Sequence, residues 1–398
     1  MDRDIVIIGG GIVGLAVARQ IQAARPALQI TVLEKENAVA RHQTGHNSGV
    51  LHSGIYYKPG SAKARNCVRG YGLLRAFCDT NGVPYEICGK LLVATDNREA
   101  AALPGLRERG EANGLTGIRH VSGEALRDYE PHVVGREALF VPQTGIINYT
   151  RVAETLASLF QNEGGIIALG DGARAIRQAG DAIEVVTHQA TYRARLLINC
   201  AGLQSDRIAA LAGTVPDVRI IPFRGEYYEL RPDRKHLVRN LIYPVPDPAF
   251  PFLGVHFTRG IDGGVEAGPN AVFAFKREGY RKRDFSVTDS VQSLAWPGFR
   301  KTAARYWRTG AGEFYRSFSK AAFTRALQRL IPELRQDDLV PGGAGVRAQA
   351  CRRDGVLVDD FLIQEDERAI HLLNAPSPAA TSCLAIGETI ARMALERV

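Results

Sequence analysis

The chain has no long apolar run: nothing in its 398 residues approaches the ~18 to 20 consecutive apolar positions that a membrane-spanning helix needs. It also lacks the pattern of an export leader, because MDRDIVIIGG sets charges of both signs ahead of a short strand-like run. The expected compartment is therefore the cytoplasm. No C-x-x-C pair occurs among Cys67, Cys78, Cys88, Cys200, Cys351 and Cys383. That scatter speaks against a zinc knuckle or a dithiol redox centre and for reduced thiols, so no metal site is expected. There is no internal repeat and no low-complexity tract. Acidic residues are fewer than basic ones, 42 against 50, and the formal charge of +8 admits acidic partners such as nucleic acid, anionic lipid or small acids without choosing among them.

What is present belongs to a folded protein. With 45% hydrophobic and 23% charged residues, the chain can build cores, and its length suggests about two domains at roughly 150 residues each.

The sharpest motif comes first. Residues 4–8 (DIVII) form an apolar run of buried-strand character, followed at once by Gly9, Gly11 and Gly14 in G-x-G-x-x-G spacing and then by a helical pattern to about Ala24. Gly9 permits a tight turn, Gly11 lets backbone N–H groups approach a pyrophosphate, and Gly14 lets helix and strand pack closely, with the positive end of the helix facing the anion. Residues 29–33 read as a second strand ending at Glu34, 20 residues beyond Gly14. A carboxylate there accepts hydrogen bonds from ribose hydroxyls and repels a 2'-phosphate, which favours FAD or NAD over NADP.

Three further segments favour a flavin. Residues 35–59 form a long polar loop carrying Val50, Leu51, Ile55, Tyr56 and Tyr57, where a nicotinamide enzyme would continue into a further strand and helix; loops of this length in compact domains are usually functional or disordered, and these residues argue against disorder. Residues 196–202 (LLINCAG) read as a strand ending in Ala201-Gly202, with a helix from about Ser205. Residues 370–373 read as a strand and 377–394 as a helix, whose N-terminus would suit negative charge growing at the flavin N1 and O2 edge.

The intervening segments 90–95, 220–230, 253–257 and 271–275 look like strands of a separate antiparallel sheet. The expected fold class is thus α/β: a discontinuous FAD-binding Rossmann-like domain (1–84, 142–214 and 338–398) beside an antiparallel-sheet substrate domain (85–141 and 215–337). Residues 276–308 carry nine basic and three acidic residues interleaved with six aromatics. Phe299, Ala303, Tyr306 and Trp307 fall on one helical face flanked by Arg300, Lys301, Arg305 and Arg308. Such a segment suits either an anionic membrane surface or packing on its own domain. It carries no nucleic-acid motif, and no nucleic-acid partner is expected.

Across nearly its whole length the chain resembles the FAD-dependent oxidoreductases of the D-amino-acid oxidase and glycerol-3-phosphate dehydrogenase superfamily, and within it the L-2-hydroxyglutarate oxidase or dehydrogenase family. The narrow part of the resemblance lies in HNSGVLHSGIYY (46–57), FRGEYYEL (223–230), FLGVHFTR (252–259), GPNAVFAFKREGY (268–280), GVRAQ (345–349) and NAPSPAATS (374–382). Cys383 stands where the family more often has serine. The resemblance implies noncovalent FAD, lined by Lys35, His46, Asn47, Ser48, Gly49, Ala173, Asn374, Ala380 and Thr381 in addition to the motif residues. It implies oxidation of L-2-hydroxyglutarate to 2-oxoglutarate, with electrons passed to a quinone or to oxygen, the former at the inner face of the cytoplasmic membrane. An amino acid or glycerol-3-phosphate is the alternative substrate on the same fold.

Oxidising an α-hydroxy acid moves the Cα hydrogen as hydride to flavin N5 while a base takes the hydroxyl proton. Histidine suits that base. His52 and His256 occupy motifs expected at the flavin, and strand alternation turns His256 away from its neighbours Val255 and Phe257. A dicarboxylate needs two cationic anchors, for which Arg347 and either Lys276 or Arg259 are the candidates. Tyr57 is a candidate donor to substrate.

Overall fold

The computed structural model describes residues 1–247 and 254–398. Its N-terminal unit is β1 (Asp2–Ile8), α1 (Ile12–Ala24) and β2 (Ile30–Glu34). β1 and β2 run parallel, Ile5 opposite Ile30 and Ile8 opposite Leu33. On its other side β1 pairs in parallel with Thr191–Asn199, whose later half pairs in parallel with Ala369–Asn374. Ile166–Leu169 extends the sheet beyond β2, and three antiparallel strands, Ala175–Ala179, Ala182–Val186 and Leu362–Asp366, the last paired with Ala369–Asn374, complete its eight strands. The central strands are runs of Ile, Val and Leu because both faces are covered. On one face α1 packs against Cys383–Leu395 and Tyr149–Asn162, and Gly387 allows the closest approach, since a Cβ there would stand 3.0 Å from the Ala16 carbonyl carbon. Asn148 caps the helix Tyr149–Asn162 by accepting from the N–H groups of Thr150 and Arg151.

A second sheet of nine strands contains the four predicted ones, at Lys90–Ala94, Val218–Leu230, His256–Arg259 and Val272–Phe273. Leu253, the first residue of one prediction, lies outside the described residues. The sheet is antiparallel except where Leu241–Pro244 runs parallel to Lys90–Ala94. Leu339–Arg352 also belongs here, paired along the length of Val218–Leu230 with Arg347 opposite Phe223. The expected boundary at 337/338 therefore does not follow the sheets. A small three-stranded sheet joins Val50–Leu51, Gly145–Ile147 and Tyr85–Glu86.

Two other expectations need correction. The last helix begins at Cys383, six residues later than the pattern suggests. Pro376 and Pro378 each remove an N–H donor and hold the preceding residue out of helical geometry, so the chain closes turns from Ala379 to Pro376 and from Ser382 to Pro378 first. The basic aromatic segment is broken into Val287–Leu294, Pro297–Arg305 and Trp307–Phe318, with Tyr306 between the last two. Phe299 is buried with Phe273 and Trp296, so it lies on no outward face.

Candidate active site

A cavity of about 1530 Å³ runs between the two large sheets, from Glu34 and Gly11 at one end to His256 and Arg347 at the other. At the first end the glycine turn is forced by contacts. Gly9 has φ +115°, and a Cβ on it would stand 2.5 Å from the Cys200 carbonyl oxygen; one on Gly14 would stand 2.1 Å from the Gly9 oxygen. Gly14 thus seats the helix on the strand and does not itself line the cavity. Gly11 does, and it offers α1 no side-chain cap, which leaves the positive end of the helix facing the cavity. Glu34 is buried with both carboxylate oxygens engaged: Oε2 accepts from Gly10 N–H at 2.8 Å and Oε1 from Glu36 N–H at 2.9 Å. This fixes the acid in place and leaves each oxygen a further lone pair.

The loop after β2 is held by its own polar groups. The Asn47 amide donates to the Gln43 and Thr44 carbonyls, and its oxygen accepts from Gly49 N–H at 2.9 Å. Gly49, at φ +63°, shapes the turn without lining the cavity, whereas His46, Asn47 and Ser48 line it. The His46 ring stacks on Tyr280, centroids 4.1 Å apart, and Nδ1–H donates to the Ala344 carbonyl at 3.1 Å. Lys35, also at the wall, sits among Glu36, Glu278 and His42. Ala173, Ala201, Gly202, Ala380 and Thr381 complete this part of the lining. The Thr381 hydroxyl meets Tyr149 Oη at 2.7 Å and accepts from His52 N–H at 3.1 Å, which ties the C-terminal loop to the loop 46–57. Asn374 stands behind the wall, its amide donating to the Val358 and Asp360 carbonyls.

The other end carries the titratable groups. His256 is buried and stacks on Tyr243, centroids 3.8 Å apart. Its Nδ1 lies 2.8 Å from the Gly254 carbonyl, which can only accept. The proton is therefore on Nδ1, and Nε2 of the neutral ring is left as a proton acceptor. Burial, with Arg347 and Lys90 adding to it, lowers the His256 pKa to about 3, and burial likewise lowers that of His52 to about 3. Arg347 is at the same wall, close to Tyr227 and His256. Tyr57 is buried, hydrogen-bonded with Ser377, and its pKa is raised by burial.

Two predicted anchors are not brought here. Arg259 is directed outward to Glu86 at 2.5 Å and to the Arg239 carbonyl, and Lys276 is exposed. Neither lines the cavity. Sequence reasoning missed Tyr243, Tyr227, Tyr56 and Lys90. Tyr56 and Tyr227 lay within quoted motifs without being singled out, and Lys90 carried a signal of its own, since it opens a strand whose other members are all apolar.

These residues fit a flavin dinucleotide: a helix N-terminus beside a bare glycine, its Ile12 N–H held by Thr44 Oγ1 at 3.0 Å, an anchored acid, and a cavity continuing to a neutral imidazole. Comparison with known proteins agrees. The model of the FAD dependent oxidoreductase family, DAO, matches residues 4–393. The L-2-hydroxyglutarate dehydrogenase of Indibacter alkaliphilus is 54% identical over the full length of both chains. That of Escherichia coli K12 is 48% identical, covering 97% of this chain and 92% of its own. Among solved structures, the FAD-bound L-alpha-glycerophosphate oxidase of Mycoplasma pneumoniae superposes with a TM-score of 0.80 at 23% identity, covering 100% of this chain and 95% of its own, a likeness of fold. Nucleotide-end geometry, family match and end-to-end relatives agree, and the chain belongs to the FAD-dependent oxidoreductase family.

Proposed function

We propose that the protein oxidises L-2-hydroxyglutarate to 2-oxoglutarate, the reaction named for its 54% and 48% identical relatives. The observation that carries this reading is the neutral His256 ring, its Nδ1–H held by Gly254 and its Nε2 left to accept, beside the half-buried cation Arg347 on the same cavity wall. When bound, FAD accepts the hydride from the substrate carbon. His256 Nε2 takes the hydroxyl proton, and the Arg347 guanidinium fits a carboxylate with two parallel hydrogen bonds. His52, on the loop tied to Thr381, orients the substrate from the other side. FAD is held noncovalently: Cys200 lines the cavity, but burial pushes its thiol up to about 12, so it stays protonated and unreactive.

The electron acceptor in this reading is a quinone reached at a membrane surface. No helix among the described residues is long and apolar enough to cross a membrane. The helix Val287–Leu294 nevertheless turns Val287, Val291 and Leu294 outward while burying Asp289, Ser290 and Ser293. Trp307, Tyr315 and Phe318 form an outward stripe on the helix Trp307–Phe318, with Phe318 77% exposed. Arg281, Lys282, Arg283, Arg300, Lys301, Arg305 and Arg308 lie near these stripes in sequence, with Lys282 over the Phe318 ring and Arg308 over that of Trp307, which supports peripheral contact with anionic lipid.

The test is flavin absorbance under anaerobic titration with L-2-hydroxyglutarate, its D-enantiomer, L-lactate, glycerol-3-phosphate and D-alanine. Bleaching by the L-dicarboxylate alone is expected. Bleaching by one of the others instead would keep the enzyme class and overturn the substrate.

A further inference from the structure

A dicarboxylate carries two negative charges, and of the cations predicted to anchor it only Arg347 reaches the cavity. One buried positive charge nearby has no established role. Lys90 opens the wholly buried strand Lys90–Ala94 and is itself 1% exposed. Its Nζ lies 4.3 Å from the centroid of the Tyr56 ring and 5.0 Å from that of Tyr243. Both tyrosines line the cavity, Tyr243 carries the His256 ring on its face, and the Tyr56 hydroxyl is buried without a hydrogen-bond partner among the described residues. No carboxylate of the described residues lies within 4.0 Å of Nζ, and residues 248–253 (PAFPFL) contain no acid.

Aromatic faces attract a cation but do not neutralise it. A buried ammonium without a counterion is costly, and folded proteins pair such charges or leave them for a ligand. The positive field of Lys90 also reaches His52 and His256, so it acts on the space where the substrate reacts. Other cations near the cavity are weaker candidates: Lys63 is paired with Asp359 at 2.8 Å, and Arg109 is exposed and donates to the Tyr56 carbonyl.

We infer that Lys90 is the second cation of the substrate site: across the rings of Tyr56 and Tyr243 it supplies the countercharge for one carboxylate of a dicarboxylate, Arg347 serving the other. This rests on the dicarboxylate reading above. The substrate in turn offsets two positive charges that disfavour a proton on His256, so binding makes that imidazole a better base. Lys90 is a positioning residue, since it touches the rings that form the wall.

The test measures binding of glutarate and of butyrate to the oxidised holoenzyme, by calorimetry and by perturbation of the flavin spectrum. The wild type should prefer glutarate, and Lys90→Met should lower the glutarate-to-butyrate affinity ratio about 10- to 100-fold, with Lys90→Arg restoring part of it. An unchanged ratio in Lys90→Met, or no preference in the wild type, overturns the inference. A second measurement needs no substitution. Burial lowers the Lys90 pKa to about 7, so the wild-type ratio should fall as pH rises from 6 to 9. Of the groups facing Lys90, Tyr56 and Tyr243 are raised, Cys67 stands at about 12 and the two histidines at about 3, outside that window. Glu266, held at about 7 by burial, acts on Tyr243, and Glu266→Gln removes its contribution to the profile. A flat wild-type profile is the adverse result. If L-2-hydroxyglutarate fails to bleach the flavin while the glutarate preference and its loss are observed, the substrate assignment falls and the role of Lys90 stands.

Discussion

At the scale of single residues the chemistry turns on where one proton sits. The Gly254 carbonyl holds it on Nδ1 of His256, and the ring is kept neutral by burial and two neighbouring cations. Replacing His256 by Asn should slow substrate reduction of the flavin by about 10²- to 10⁴-fold while FAD stays bound, read by stopped-flow absorbance and flavin content. An unperturbed imidazole would impose an acid limb near pH 6.5 on kcat/KM. With the pKa lowered to about 3, the profile should show no loss of activity from pH 7 down to 5, and an acid limb near 6.5 would show that the base is another group or an ordinary histidine. The glycine spacing, Glu34 and the turn of His256 away from Val255 and Phe257 were legible in the sequence because each follows from local geometry. Arg259 misled because charge type is local and pairing is not: Glu86, which takes Arg259, is 173 positions away; Lys276 misled because the fold leaves it exposed and off the cavity wall.

Among elements, the decisive contact is α1 on β1. A methyl group at Gly14 would meet the Gly9 oxygen at 2.1 Å, so Gly14→Ala must lift the helix end from the strand and widen the site that faces the pyrophosphate. The expected outcome is a loss of roughly 1–3 kcal/mol of stability and a purified protein largely free of flavin, checked by thermal unfolding and the absorbance ratio. Full flavin occupancy in that variant would disprove the tight seating. Strands of the Rossmann-like unit could be read from apolar runs bounded by glycine. The start of the last helix could not, since a helical pattern from Ser377 runs through Pro378, although the missing N–H groups of Pro376 and Pro378 delay the helix to Cys383. Neither could the strand Leu339–Arg352, whose three early glycines and Pro341 read as loop until Val218–Leu230 pairs with them.

For the molecule as a whole, the order of nine strands in the second sheet follows from long-range packing, which no local pattern contains. The same holds for the outward stripes: the sequence placed aromatic and basic residues together, but only the fold decides that Phe299 turns in and Trp307 turns out. Paired Trp307→Ser and Phe318→Ser substitutions should weaken sedimentation with vesicles rich in anionic lipid at least tenfold and leave flavin reduction by soluble substrate intact. Equal binding by wild type and variant would remove the membrane from the proposal. The discontinuous sheet also bears on how the protein is made. α1 leaves the ribosome long before its packing partner Cys383–Leu395, which is synthesised more than 340 residues later. Until then the apolar side of α1, with Val17 and Ile21, has no Ile386 or Ile390 to cover it. At ~5–20 residues per second a nascent chain waits on the order of a minute in that state, and the cavity wall itself is complete only once Thr381 has been made, so the uncovered early half needs shielding until then.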